Sequence, residues 1–412
     1  MASLTVNAGE TMRGFEVTEG QLCVGGVPLQ RLAQRAGQTP FYAYDRGLIQ
    51  RRVAEVRAVL PVGVQLHYAI KANPMPALLS CLAPLVDGMD VASGRELSAA
   101  LDAGCAPAHI SFAGPGKREG ELRQAVAAGV LLHIESFREV ELLARLSAEM
   151  QLPARVAVRV NPDFELRGAG MRMGGGAQVF GVDLEQVPAL LARVAQAGLQ
   201  FEGFHVYAGS QVLKAELLAD LIERSLDMLL TLQAELPGPV RQVNLGGGWG
   251  IPYFPSEQPL DLAPVRAALL AAQQRLHAQW PQAHLVVELG RFLVGEAGIY
   301  VARVLERKVS RGEVFLVTDG GLHHHLAATG NFGQVLRRNY PVALGNRLAE
   351  STLEQVSVVG PLCTPLDVLA HKVTLPMASE GDLVVIFQSG AYGATASPQA
   401  FLGHPPCVEM LV

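Results

Sequence analysis

Short apolar runs alternate with longer amphipathic segments through the middle of this chain, and that alternation limits the available folds more than any other feature. The runs are residues 64–70, 88–92, 109–113, 130–135, 156–161, 201–207, 242–245 and 284–289. Between them lie segments 94–104, 117–129, 137–150, 184–198, 213–236 and 261–280, each helical in period and long enough for a crossover helix. Eight strand–helix units over about 230 residues predict a (β/α)8 TIM barrel, with chemistry at the C-terminal ends of its strands. An open doubly wound sheet is the competing architecture.

After Gly290 the texture changes. Residues 301–309, 313–318, 355–359, 367–375 and 382–388 are strand-like, separated by Gly, Pro and Ser. Residues 15–17 and 21–24 have the same character. The expectation is therefore a barrel over residues 40–290 and a β-sandwich or barrel domain over 291–412. Strands from residues 1–39 would pack with the second domain. Residues 162–181, rich in Gly and Met, read as a loop over the barrel mouth.

Composition excludes several classes of function. A formal net charge of −5 with no basic stripe argues against nucleic acid, and leaves a small molecule or another protein as the partner. The five cysteines (Cys23, Cys81, Cys105, Cys363 and Cys407) are scattered and lack CxxC spacing, so neither a disulfide framework nor a zinc ribbon is expected. No apolar stretch reaches membrane-spanning length and no signal sequence is evident; a cytoplasmic protein without a membrane partner is expected.

Unusual residues fall at the predicted strand ends. Lys71 follows the first run, where desolvation could make its amine a nucleophile for Schiff-base chemistry with an aldehyde. Asp90 lies at the second, Arg159 and Asn161 at the fifth, His205 at the sixth, and Glu288 with Arg291 at the eighth. Gly246, Gly247 and Gly248 follow the seventh, where backbone N–H groups could approach a phosphate without Cβ interference. Each has a plainer reading alone: a solvated strand end for Lys71 or Glu288, a tight turn for the glycines, a satisfied structural histidine for His205. His323-His324-His325 invites a metal reading, but no ligand at i+4 completes a helical pair, and no metal is expected.

Taken in order, the motifs resemble the fold type III decarboxylases that use pyridoxal phosphate, the group containing diaminopimelate and ornithine decarboxylases. The matching blocks are Tyr68-Ala-Ile-Lys71-Ala-Asn73, Asp90-Val-Ala-Ser93, Phe112-Ala-Gly-Pro-Gly-Lys117, Phe180-Gly181, Gly203-Phe-His205 with Gly209-Ser210-Gln211, Asn244-Leu-Gly-Gly-Gly248, Glu288-Leu-Gly-Arg291, Gly360-Pro-Leu-Cys363 and Gly390-Ala-Tyr392. The resemblance spans Phe41 to about His404 and implies an alanine-racemase-like barrel. It implies that Lys71 holds the cofactor covalently, Glu288 faces the pyridine nitrogen and keeps it protonated, and His205 stacks on the ring, with Arg159 and Asp90 in the surrounding polar shell. Ser210, the amides of residues 246–248, the Gly290 and Arg291 amides and Tyr392 would hold the phosphate. Cys363 would act in the site of the partner subunit, which implies a homodimer with sites at its interface.

Two departures bear on the substrate. Where diaminopimelate and ornithine decarboxylases place an acidic residue after the cysteine, this chain has Thr364, and a hydroxyl cannot offset the desolvation of an ammonium. Asp367 could compensate in part. His205-Val-Tyr-Ala-Gly-Ser210 is also longer than the usual His-x-Gly-Ser spacing. With Leu322-His-His-His-Leu326 and residues 331–341, these departures resemble a branch containing exosortase-associated decarboxylases, the butirosin-type glutamyl-carrier-protein decarboxylase and a siderophore-pathway enzyme. The branch implies an amino acid conjugated or tethered at its far end, with Arg291, Arg337, Arg338, Thr364 and Asp367 on the substrate side. Diaminopimelate decarboxylase, and a non-catalytic protein that carries pyridoxal phosphate, are the alternatives.

Overall fold

The computed structural model describes residues 14–165, 171–334 and 337–412, so residues 166–170 of the expected loop and 335–336 of the 331–341 segment lie outside the described residues. Two compact units emerge. Among the described residues, one comprises 53–251 and 259–290; the other comprises 14–52, 252–258 and 291–412.

The first unit is a closed parallel barrel. Its strands are β1 (Gln65–Ala69), β2 (Gly88–Val91), β3 (Ile110–Phe112), β4 (Leu131–Ile134), β5 (Arg155–Asn161), β6 (Gln200–His205), β7 (Gln242–Gly247) and β8 (His284–Leu289). Each pairs with the next, and β8 returns to β1 in the register Glu288↔His67 and Leu289↔Tyr68. All eight predicted runs are strands. Helices cover them on the outside, so the strands are almost entirely buried and read as continuous apolar runs rather than alternating ones.

Local signals set the helix limits. Ser93 accepts from the Glu96 amide at 3.2 Å to cap Gly94–Asp102, and Ser136 accepts from the Glu139 amide at 3.3 Å to cap Phe137–Met150. Gly129, at φ 75°, ends Glu119–Ala128 in the left-handed conformation that a side chain resists.

The second unit is built on mixed β-structure in the order Val342–Leu344, Leu383–Ile386, Gly298–Ser310, Glu313–Thr318, Leu353–Val359, Val368–Pro376. The 13-residue strand Gly298–Ser310 serves both halves. Its first part pairs with Leu383–Ile386 and Phe41–Tyr44, and its later part pairs with Glu313–Thr318. Phe41–Tyr44 also pairs in parallel with Val408–Leu411. The barrel boundary expected at residue 40 therefore precedes a strand of the sheet unit, whose four residues are all buried there. The core joins Leu22, Val24, Leu29 and Leu32 to Phe41, Ile299, Val301 and Val385, which packs the N-terminal strands onto this unit. Each such side chain, fully buried, contributes about 1.5–3 kcal/mol.

Among the described residues no helix is long and apolar enough to cross a membrane.

Candidate active site

Lys71 sits in the single turn Ile70–Ala72 that ends β1. Its side chain is exposed, so the burial expected of it is not what would loosen its proton; the turn carries it out of the apolar strand. Its ammonium lies 5.1 Å from the centre of the Tyr207 ring. Gly290 packs behind the same turn, where a Cβ would come 2.8 Å from that of Ala72 and 3.2 Å from the Ala69 carbonyl.

Glu288 is 5% exposed near the end of β8. Its Oε2 accepts from Asn244 Nδ2 at 3.1 Å, and His205 Nε2 lies 3.3 Å from the same oxygen without hydrogen-bond alignment. Burial opposes the carboxylate charge, yet His205, Lys71 and His133 nearby hold its pKa far below the usual range. Oε1 forms no hydrogen bond with the described residues, and is the oxygen left to meet a cationic N–H. The His205 ring packs against His133, centroids 4.3 Å apart. Burial and the neighbouring His205 depress the His133 pKa well below its ordinary value.

The glycine run closes the end of β7. A Cβ on Gly247 would fall 1.9 Å from the Glu288 carbonyl oxygen, one on Gly246 2.7 Å from that of Val206, and one on Gly248 2.2 Å from that of Gly209. Gly246 and Gly248 also hold φ of 68° and 75°. Only glycine lets the β6, β7 and β8 loops approach this closely. Asn244 Oδ1 accepts from the Gly246 amide at 2.7 Å, tying the loop to the residue that holds Glu288. Gly209–Ser210 pairs with Met171–Arg172, and the Val212 amide donates to Gly248 at 2.9 Å.

Arg159 donates to Glu135 at 2.9 Å and lies 5.1 Å above the Phe180 ring. Burial raises the Glu135 pKa, but Arg159 and Lys117 outweigh it and keep the carboxylate ionised. Asp90 meets His67 at 3.2 Å and accepts from the Ser111 hydroxyl; its Oδ2 is buried without a partner. Asn161 Nδ2 donates to Asp183 at 2.8 Å and to the Gly176 carbonyl at 2.9 Å. Lys117, only 3% exposed, is held by both Glu139 oxygens at 3.1 Å and by the His133 carbonyl at 2.8 Å.

The sheet unit holds the remaining expected residues. Arg291 donates to the Tyr253 hydroxyl at 2.6 Å and lies 4.6 Å from the Tyr392 ring centre, with its Nε buried and unpartnered. Tyr340 stands 4.7 Å from Tyr253, which completes an aromatic collar around the guanidinium. Cys363 is exposed and Thr364 half-buried on the surface loop that follows Leu353–Val359. Asp367 is 2% exposed; its two oxygens accept from the Leu322 amide at 2.5 Å and the Leu362 amide at 2.8 Å. Its carboxylate thus fastens the Cys363 loop to the 320s turn and is not held out to an ammonium, the partial compensation expected of it. Arg337 donates to the Val368 carbonyl, and Arg338 pairs with Glu257 at 3.3 Å over the Phe254 ring. His324 Nε2 donates to the Pro405 carbonyl at 2.9 Å, and His325 meets the Ser389 hydroxyl at 2.9 Å.

The barrel therefore collects Lys71, Tyr207, His205, Glu288, Asn244 and the glycine loop at the C-terminal strand ends, and Arg291 and Tyr392 gather in the sheet unit. Tyr207, Asn244 and the Asp367 anchor were not singled out from sequence as they stand here. The aromatic residue within the lengthened His205–Ser210 motif was the available signal for Tyr207. The barrel set fits pyridoxal phosphate: a lysine at the open end, a carboxylate held ionised with one oxygen uncommitted, and a loop with no Cβ atoms. When bound, this cofactor supplies an electron sink.

Comparison with known proteins agrees. Residues 46–295 match the pyridoxal-binding domain of the pyridoxal-dependent decarboxylases. The chain is 37% identical over 380 residues to L-glutamyl-[BtrI acyl-carrier protein] decarboxylase from Niallia circulans, covering 91% of this chain and 89% of that one. It is 33% identical to diaminopimelate decarboxylase from Pseudomonas aeruginosa (94% and 90% covered). It is 29% identical to 2-[(L-alanin-3-ylcarbamoyl)methyl]-2-hydroxybutanedioate decarboxylase from Staphylococcus aureus (92% and 95%). The structure of diaminopimelate decarboxylase from Helicobacter pylori complexed with L-lysine aligns with a TM-score of 0.82 at 27% identity, covering 93% of this chain and 94% of that one. With a lysine, a carboxylate and a glycine loop placed as that cofactor requires, the chain belongs to the pyridoxal-dependent decarboxylases.

Proposed function

We propose that this protein decarboxylates an amino acid whose far end is conjugated or tethered to a carrier. The observation that carries the reading is the loop around Cys363: Thr364 is neutral, and the nearby carboxylate, Asp367, is spent on the Leu322 and Leu362 amides. A free distal ammonium would enter this loop without a counter-charge, at a desolvation penalty an amide or ester does not carry. The likeness to a carrier-protein glutamyl decarboxylase and to a decarboxylase of a carbamoylmethyl-linked substrate supports the same class.

In this reading Lys71 holds the cofactor, Glu288 Oε1 takes the pyridine N–H, and the residue 246–248 amides with Ser210 and the Gly290 amide hold its phosphate. Arg159, through Glu135, braces the barrel interior, and Asp90 braces the strand beside Lys71. Arg291 and Tyr392 serve the anionic groups of cofactor or substrate, and Arg337 and Arg338 serve a carboxylate or phosphate of the substrate. The protein acts as a homodimer in which Cys363, exposed beside the 56% exposed Leu366, serves the partner's site.

The test is mass spectrometry of products after incubation with free, citryl-linked and carrier-bound amino acids, with Lys71→Ala as the blank. Loss of carbon dioxide from conjugated substrates alone is expected. Efficient turnover of free meso-diaminopimelate would replace the proposal with diaminopimelate decarboxylase. Sedimentation of a fully active monomer would remove the dimer.

A further inference from the structure

The resemblance assigns cofactor stacking to His205, but the structure gives that residue other neighbours. His205 is 1% exposed at the end of β6, with one face on His133 and its Nε2 on Glu288. Two residues on, Tyr207 is half-buried, and its ring lies 5.1 Å from the Lys71 ammonium. A planar cofactor joined to Lys71 Nζ through its aldehyde carbon has its ring one bond beyond that carbon. The ring must therefore lie near whatever surface adjoins Nζ, and that surface includes the Tyr207 face.

The glycine loop is shaped around the same tyrosine. A Cβ on Gly246 would fall 2.9 Å from Tyr207 Cδ2 and 3.3 Å from its Cα, so the loop can sit beside this ring only because residue 246 has no side chain. Three residues after Tyr207, Ser210 follows in the short strand Gly209–Ser210.

We propose that Tyr207 is the aromatic platform for the pyridine ring of the cofactor, and that His205 acts through Glu288 as a positioning residue. The inference rests on the cofactor reading above and adds which residue offers the ring face. An electron-rich phenol suits a protonated pyridine ring, since the negative face of the quadrupole meets a cationic π-system.

The experiment is titration of the cofactor-free protein with pyridoxal phosphate, followed by the visible band that the cofactor gains on joining a lysine. Wild type developing that band, and Lys71→Ala lacking it, establishes the cofactor reading independently of Tyr207; absence of the band in wild type would sink that reading and this one together. With the band present, Tyr207→Phe is expected to keep the dissociation constant within about 3-fold, because the aromatic face survives. Tyr207→Ala is expected to raise it about 10-fold or more, the scale of a lost stacking contact. Tyr207→Leu, which fills similar space without a π face, separates stacking from packing and serves if the alanine variant fails to fold. A leucine variant that folds and binds the cofactor as tightly as the phenylalanine variant would overturn the proposal.

Discussion

Gly248→Ala isolates the contribution of close backbone approach in the glycine loop. The new Cβ would lie 2.2 Å from the Gly209 carbonyl oxygen and 3.1 Å from its carbon, both backbone atoms that cannot rotate away. Restoring contact distance requires the β6 and β7 loops to part by about 1 Å, an overpacking cost of about 1–3 kcal/mol. The residue also holds φ 75°, which adds about 1–2 kcal/mol for an L side chain. Gly198→Ala is the matched control: its φ is 67°, and a Cβ there meets nothing within 4 Å. Both variants gain equally from the reduced freedom of the unfolded chain. Urea denaturation should therefore show Gly248→Ala about 1–3 kcal/mol less stable than Gly198→Ala. Because the displaced backbone includes Gly209 and Ser210, only Gly248→Ala should also weaken the binding of pyridoxal phosphate. Equal stabilities, or equal affinities for the cofactor, would refute the reasoning.

Other outcomes follow from the same geometry. Glu139→Gln leaves the Lys117 ammonium buried with its counter-charge removed and should lower stability by about 3–5 kcal/mol in thermal or urea melts, whereas replacing both residues by apolar ones should recover much of the loss. Asp367→Ala orphans two buried amides and should cost about 2–6 kcal/mol, with the Michaelis constant little changed in the surviving folded enzyme. His323 and His325 have pKa values pushed by burial down to about 4 and about 3. Both are neutral when folded and titrate at ordinary values when unfolded, so their contribution is complete above about pH 6.5 and is lost as pH falls toward 4 and 3. Melting temperature measured against pH should show that decline. His323→Phe should flatten it, since neither ring nitrogen of His323 has a hydrogen-bond partner.

The barrel was legible because each of its strands is a local event: an apolar run, a turn, a helix with its own cap. The sheet unit was less so. Val342–Leu344 and Val408–Leu411 are 3 and 4 residues long and draw their partners from far along the chain, so no local period announces them. Phe41–Tyr44 is apolar throughout and runs into a helix, which makes it look like a first barrel unit until its pairing with Val301–Gly298 is seen. At the site, Lys71, Glu288 and the glycine run could be read because each carries a chemical type that its position needs. Tyr207 could not be separated from His205, since both lie in one motif and only their neighbours in space distinguish them. Asp367 carried a charge that sequence offers to a ligand and the fold gives to two amides.

The pairing of Phe41–Tyr44 with Val408–Leu411 has a consequence in time. At about 5–20 residues per second, synthesis leaves the earlier strand without that neighbour for some tens of seconds. Its other partner, Gly298–Ser310, also arrives late. Until the first of these partners emerges a run of Phe, Tyr, Ala and Tyr has no sheet to enter, while the barrel strands downstream can find theirs as they emerge. For a newly made chain, the hazard of wrong association therefore falls on this segment near its start. It ends only when Gly298–Ser310 and Val408–Leu411 have both emerged to flank it.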